Sequence, residues 1–120
     1  MANKFLKSER LRSKIEIDKL FKNNNTFFFY PFKVIWNIEK MNTHTSVLIS
    51  IPKKKIRRSI ARNQLKRYIR ESYRINKNIL KDSIPLKFGI IYSSENNYEF
   101  NFLDERIKLI LSRLKHINNT

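Results

Sequence analysis

A chain of 120 residues with 26 Lys and Arg against 10 Asp and Glu has a formal net charge of +16 (26 − 10). Such a surplus repels itself in a folded domain and calls for a polyanionic partner, with nucleic acid ahead of an anionic membrane surface and ahead of simple solubility. Cysteine is absent, which excludes disulfides, thiolate metal sites and cysteine nucleophiles, and His44 and His116 are too far apart in sequence to suggest a histidine metal site.

The length fits one domain, and a hydrophobic fraction of 41% is too high for a disordered composition. No run approaches the roughly 18 apolar residues of a membrane span, and Met1 to Lys7 lacks the apolar stretch of a signal peptide. The expectation is a single cytoplasmic domain over 1–120, with flexible ends at about 1–8 and 117–120.

In chain order, Ser13-Lys14-Ile15-Glu16 has the form of a capping box and predicts a short helix through Ile17, Leu20 and Phe21. Asn23 to Thr26 reads as a loop. Phe27 to Trp36 reads as a strand whose early part, at Pro31, is an edge or a bend. Phe32, Val34 and Trp36 share one face of it, Trp36 toward the core, while Lys33 and Ile35 share the other. An edge or core role suits Phe27, Phe28, Phe29 and Tyr30 at least as well as stacking on the bases of a nucleic acid. Glu39 to Thr45 is a polar turn. Ser46 to Ile51 is a nearly continuous apolar strand, as expected of a central position.

Pro52 ends that strand and opens a basic connector, Lys53, Lys54, Lys55, Arg57 and Arg58. A long helix without Gly or Pro is predicted from about Ser59 to about Asn78, then a break at Asp82 to Pro85. A strand follows over Leu86 to Tyr92, then a loop over Ser93 to Glu99. Asn101 offers a cap to a last helix carrying Leu103, Ile107, Ile110, Leu111 and Leu114 at helical spacing. The order α-β-β(-β)-α-β-α defines an α+β fold, a two-layer sandwich of helices on one sheet.

Residues 53–74 hold ten Lys or Arg and one acid, Glu71. Arg62, Lys66, Arg70 and Arg74 recur every four residues on one side of the long helix, extended by Asn63 and Arg67. Ala61, Leu65, Tyr68, Ile69 and Ser72 form the arc facing the sheet. Like charges four apart destabilise a helix by a few tenths of a kcal/mol per pair, and phosphates resolve that conflict, since the guanidinium fork donates two hydrogen bonds at once. A solvated charged face and a membrane-surface helix are the competing readings. Asn63 suits a base edge, a 2′-hydroxyl or a metal-bound water. No nucleophile has an adjacent base, no metal-ligand cluster is evident, and Asp18, Asp82, Asp104 and Glu105 read as solvated or capping residues.

The stretch Arg62-Asn63-Gln64-Leu65-Lys66-Arg67-Tyr68-Ile69-Arg70-Glu71 resembles the signature of bacterial ribonuclease P proteins, Arg-Asn-Arg, any residue, Lys-Arg, two residues, Arg-Glu. Five of its six basic or amide positions match, and Gln64 stands where the family usually has Arg or Lys. Glu9 to Ser13 with Leu20-Phe21, Ser50 to Lys55, and Arg70 to Arg74 resemble the family's neighbouring segments.

The resemblance implies a protein subunit of a ribonucleoprotein that frees the mature 5′ end of transfer RNA. The RNA is the catalyst, Mg2+ is held mainly by the RNA, and no cofactor is assigned to the protein itself. The partners would be the catalytic RNA, on the basic connector and motif helix, and the 5′ leader of precursor transfer RNA, in a cleft between sheet and helix. Neither a membrane nor a small-molecule substrate is implied. Arg12, Ile17, Phe21, Lys33 and Ile35 are the leader-cleft candidates, with Ile17 standing where the family often has Phe and Ile35 where it often has Tyr. A left-handed β-α-β crossover through the motif helix is also implied, against the usual hand. A basic ribosomal protein on a similar sandwich is the alternative, and a nuclease acting without RNA is a third possibility.

Overall fold

The computed structural model describes residues 9–22, 25–38 and 44–118. The expected flexible segment 1–8 and most of the expected turn at 39–45 lie outside them. Ser13 caps the first helix, α1 (Lys14–Phe21), its hydroxyl accepting from the Glu16 N–H at 3.5 Å. The reciprocal half of the box does not form, because the Glu16 carboxylate accepts from Lys87 Nζ at 2.7 Å instead.

The aromatic stretch forms two strands, β1 (Thr26–Phe29) and β2 (Phe32–Ile38), where the sequence suggested one. Proline has no N–H for a ladder, so the chain reverses at Tyr30-Pro31 and Phe29 lies opposite Phe32. Then come β3 (Ser46–Ser50), α2 (Ser59–Asn76) with a 3₁₀ turn over Lys77–Leu80, β4 (Leu86–Tyr92) and α3 (Phe100–Asn118). The break before β4 contains Asp82 at φ 68°, the left-handed region that Asp tolerates better than most residues.

The sheet order is β1-β2-β4-β3, with β3 parallel to β4 and the other pairs antiparallel. The apolar strand β3 is therefore an edge and not central. Its composition follows from cover on both faces: Val47 packs into the main core and Leu48 against the α1 side. Its outer edge is also occupied, since Arg10 bridges to Val47 and the Leu11 N–H donates to the Val47 carbonyl at 2.9 Å.

α2 and α3 lie side by side on one face of the sheet. Leu65, Ile69 and Tyr73 from α2 meet Leu103, Ile107 and Leu111 from α3 over Val34, Phe88 and Ile90. Trp36 packs at the margin of that core. The opposite face carries a smaller cluster of Leu11, Leu20 and Ile35 beneath α1. The last helix differs from expectation at both ends. Its first internal bond, Leu103 N–H to the Glu99 carbonyl, puts Asn101 inside the first turn and not at the cap. At the far end it continues through Asn118, with Ile117 packed against the core, where a flexible tail was expected.

Gly89 lies in the middle of β4, beneath α1. A Cβ there would sit 3.6 Å from Leu20 Cδ2 and 3.8 Å from Leu48 Cδ2, ordinary van der Waals contact. Ala also has less backbone freedom to lose on folding. Gly89→Ala is expected to stabilise the domain by about 0.5 to 1 kcal/mol, read as a rise in urea midpoint at unchanged slope; a fall would show that α1 sits closer to the sheet than described.

Candidate nucleic-acid interface

The two sides of α2 have separate tasks. Leu65, Ile69, Ser72, Tyr73 and Asn76 are buried, while Asn63, Gln64, Arg67 and Arg70 are exposed and Lys66 and Arg74 half-buried. Arg10, from the strand-covering segment, joins Asn63, Lys66, Arg67, Arg70, Glu71 and Arg74 around an open depression of about 450 Å³. A second depression of about 180 Å³ shares Arg10 and Arg70 and continues over β3 to Arg12 and Leu48. One cationic path thus runs from α2 across the sheet edge toward α1.

Lys66, Arg67 and Arg70 have no acidic partner among the described residues. Arg74 does: its Nε donates to Glu71 Oε2 at 3.0 Å and its Nη2 to Oε1, and this guanidinium holds the Glu71 carboxyl below the usual carboxylate range. The acids that could have quenched the path are engaged beside it. Glu9 binds Lys77 at 2.8 Å and Glu16 binds Lys87 at 2.7 Å, so the segment bearing Arg10 and Arg12 is tied at both ends.

Arg62 turns away from the depression. Its Nη1 donates to the carbonyls of Ile56 (2.9 Å) and Arg57 (2.7 Å), strapping the basic connector to the first turn of α2. Lys53, Lys54, Lys55, Arg57 and Arg58 are all exposed there. Arg58 occupies the N-cap position without a side-chain cap, and the first turn holds no acid. That end of the helix dipole is therefore electropositive twice over, from its amides and from its side chains. Gln64 lies off the depression, where its Nε2 donates to the Tyr68 hydroxyl at 2.8 Å.

The leader-cleft candidates divide. Arg12 is exposed on the path, and Phe21 is 49% exposed at the end of α1. Lys33 is exposed on the same sheet face, opposite Phe28, which is 58% exposed. Ile17 is half-buried against the α1 cluster. Ile35 is 3% exposed and packs with Leu11 and Leu20, so it floors α1 and offers no surface to a ligand. Of the aromatics at β1, Phe27 is buried, Phe29 is half-buried, and the Tyr30 hydroxyl bonds those of Ser94 and Tyr98. Arg10 was missing from the expected site because only its non-local bridge to Val47 brings it to α2.

The family model described as Ribonuclease P matches residues 5–115. The chain belongs to the ribonuclease P protein family. It is 41% identical over 78 residues to the ribonuclease P protein component of Porphyromonas gingivalis, a match covering 63% of this chain and 57% of that protein, so the aligned stretch spans little more than half of that relative. The Clostridium novyi component is 32% identical over 87 residues, covering 68% of this chain and 73% of its own. Among solved structures, the Staphylococcus aureus RNase P protein superposes with a TM-score of 0.76 at 20% identity, covering 91% of this chain and 97% of that one. The Thermotoga maritima RNase P protein does so at 0.74 and 24% identity, covering 88% and 96%. The fold is that of ribonuclease P proteins, and the ribosomal alternative, on a similar sandwich, gives way to the family match over residues 5–115.

Magnesium needs oxygen ligands, chiefly carboxylates and water. The carboxylates of this ribonuclease P protein that flank the path do not fit such a site, since Glu9, Glu16 and Glu71 each accept from a Lys or Arg. No group of three or more metal-ligating side chains occurs among the described residues, and no helix there is long and apolar enough to cross a membrane.

Proposed function

We propose that the chain is the protein subunit of ribonuclease P in the cytoplasm, binding the catalytic RNA and the 5′ leader of precursor transfer RNA. The observation that supports this most is the convergence of Lys66, Arg67 and Arg70, none with an acidic partner among the described residues, on one depression beside Asn63 whose lining acid, Glu71, is held by Arg74. Adjacent cations that are left unneutralised cost folding energy and gain it back on phosphate. The strapped connector extends the same surface past the helix start. Asn63 adds a neutral amide able both to donate and to accept, which suits a 2′-hydroxyl or a base edge.

The leader belongs on the α1 side of the sheet. Arg12 and Lys33 meet its phosphates there, while Phe21 and Phe28 offer open rings for bases. With Ile35 closed beneath α1, stacking relies on those two rings. The protein positions RNA, and the reaction at the scissile phosphate, with its Mg2+, is assigned to the RNA.

Reconstitution tests this. The purified protein alone is expected to leave precursor transfer RNA intact, and to accelerate its cleavage by the catalytic RNA at low salt and low Mg2+. Cleavage by protein alone, or no effect on the RNA-catalysed rate, would overturn the reading.

A further inference from the structure

α3 carries a second cationic ridge on the other flank of the molecule. Arg106 and Arg113, seven residues or about 10 Å apart along the axis, face β1, the strand at the opposite sheet edge from β3. The Arg106 guanidinium carbon lies 5.0 Å from the centre of the Phe102 ring and 5.8 Å from that of Phe29, and that of Arg113 lies 4.4 Å from Phe27. These are cation–π separations. Neither arginine has an acidic partner among the described residues, and Arg106 Nε is buried with no acceptor.

A ring contact draws on the charge of a guanidinium and uses none of its five N–H donors. It also fixes the group, so less side-chain freedom is lost when an anion arrives. From Arg106 to His116 the helix has four Lys or Arg and no acid. Attraction to the helix C-terminus accounts for Lys115 and His116 in the last turn. It does not account for two arginines laid on rings up to three turns earlier. A second copy of this chain is a poor occupant, since each copy brings a charge of +16.

We propose that this β1/α3 ridge is a second RNA-backbone contact, holding a phosphodiester segment separate from the one on α2. The protein would then clamp two stretches of RNA from opposite flanks. The segment can come from the catalytic RNA or from the precursor, and the test separates these sources.

The test compares Arg106→Gln/Arg113→Gln with the unchanged protein, over a range of salt, in two arms: binding to the catalytic RNA alone, and binding of precursor transfer RNA to the assembled protein–RNA complex. In one arm the log–log salt slope is expected to fall by about 1.4 to 1.8, with affinity at 0.1 M salt reduced roughly five- to eightfold per arginine. The affected arm names the source. Unchanged affinity and slope in both arms overturn the proposal. Arg67→Ala is measured in parallel, and if it too is without effect, RNA binding through α2 is what fails. Should the double variant not fold, phenylglyoxal modification of the unchanged protein asks the same question: protection of Arg113 by either RNA supports the ridge, and equal reactivity in both complexes rejects it. A dimer of the free protein that the double variant abolishes would assign the ridge to a second copy and also reject the proposal.

Discussion

Replacing Arg67 and Arg70 together with Ala is expected to weaken binding of the catalytic RNA roughly 30-fold at 0.1 M salt and to lower the salt slope by about 1.4 to 1.8. The melting temperature should hold or rise slightly. Both side chains are exposed and without an acidic partner among the described residues, and removing like charges from a helix face relieves a few tenths of a kcal/mol. Arg62→Ala should behave differently. It removes two charge-assisted bonds to the Ile56 and Arg57 carbonyls, which are partly solvated, at a cost of about 1 to 2 kcal/mol. It also loosens the connector that presents Lys53 to Arg58. Arg62→Lys keeps the charge but not the planar, fixed Nη1 group that donates to both carbonyls, so it should restore the salt slope more fully than the melting temperature. If Arg62→Ala lowered affinity with no loss of stability, the strap would be incidental and Arg62 a direct RNA ligand.

Asp104→Ala is expected to cost about 2 to 4 kcal/mol and to lower the melting temperature by about 10 °C. The Asp104 carboxylate accepts from Ser72 Oγ at 2.7 Å and from Asn76 Nδ2 at 2.8 Å, with Lys108 Nζ at 3.2 Å on its outer side. Ser72 is fully buried and Asn76 nearly so, so truncation strands the Ser72 hydroxyl and one amide N–H of Asn76 between α2 and α3, while the Asn76 bond to the Ser72 carbonyl at 2.8 Å remains. Burial alone would raise the Asp104 pKa, but the hydrogen bonds from Ser72, Asn76 and Lys108 outweigh it and hold the group below the ordinary Asp value. A depressed carboxylate stabilises the fold above its unfolded pKa of about 3.9 and stops doing so as pH falls through the folded value. The gap between the unchanged protein and Asp104→Ala should therefore be full at pH 7 and narrow below about pH 4. Chemical denaturation across that range measures it, and a constant gap would show that Asp104 acts through packing alone.

The same aspartate marks where the sequence ceases to be informative. Ser72 and Asn76 are one helical turn apart, but the group they share stands 28 residues beyond Asn76. Nothing in local spacing distinguishes it from a capping or solvated acid. Periodicity was enough for α2, because charge and apolarity alternate there with the helical repeat and no Gly or Pro interrupts. It failed for β3, where continuous apolarity signals two covered faces without saying whether the strand has two neighbours or one. Lys66, Arg67 and Arg70 were legible as a face. Arg10's arrival beside them depends on a bridge to Val47, 37 positions away, and Arg62's departure depends on carbonyls that any residue would supply.

That bridge has a consequence for how the protein endures outside its complex. Residues 10 and 11 bring a guanidinium to the cationic path and also occlude the rim of β3. A chain clipped there by a protease would bare the main-chain hydrogen-bonding groups of Ser46 to Ser50 beside an oily run of Val, Leu and Ile, a template for strand-to-strand association. Aggregation and loss of the ribonucleoprotein would then share one origin, since the peptide that shields the rim is also the one that extends the cationic path.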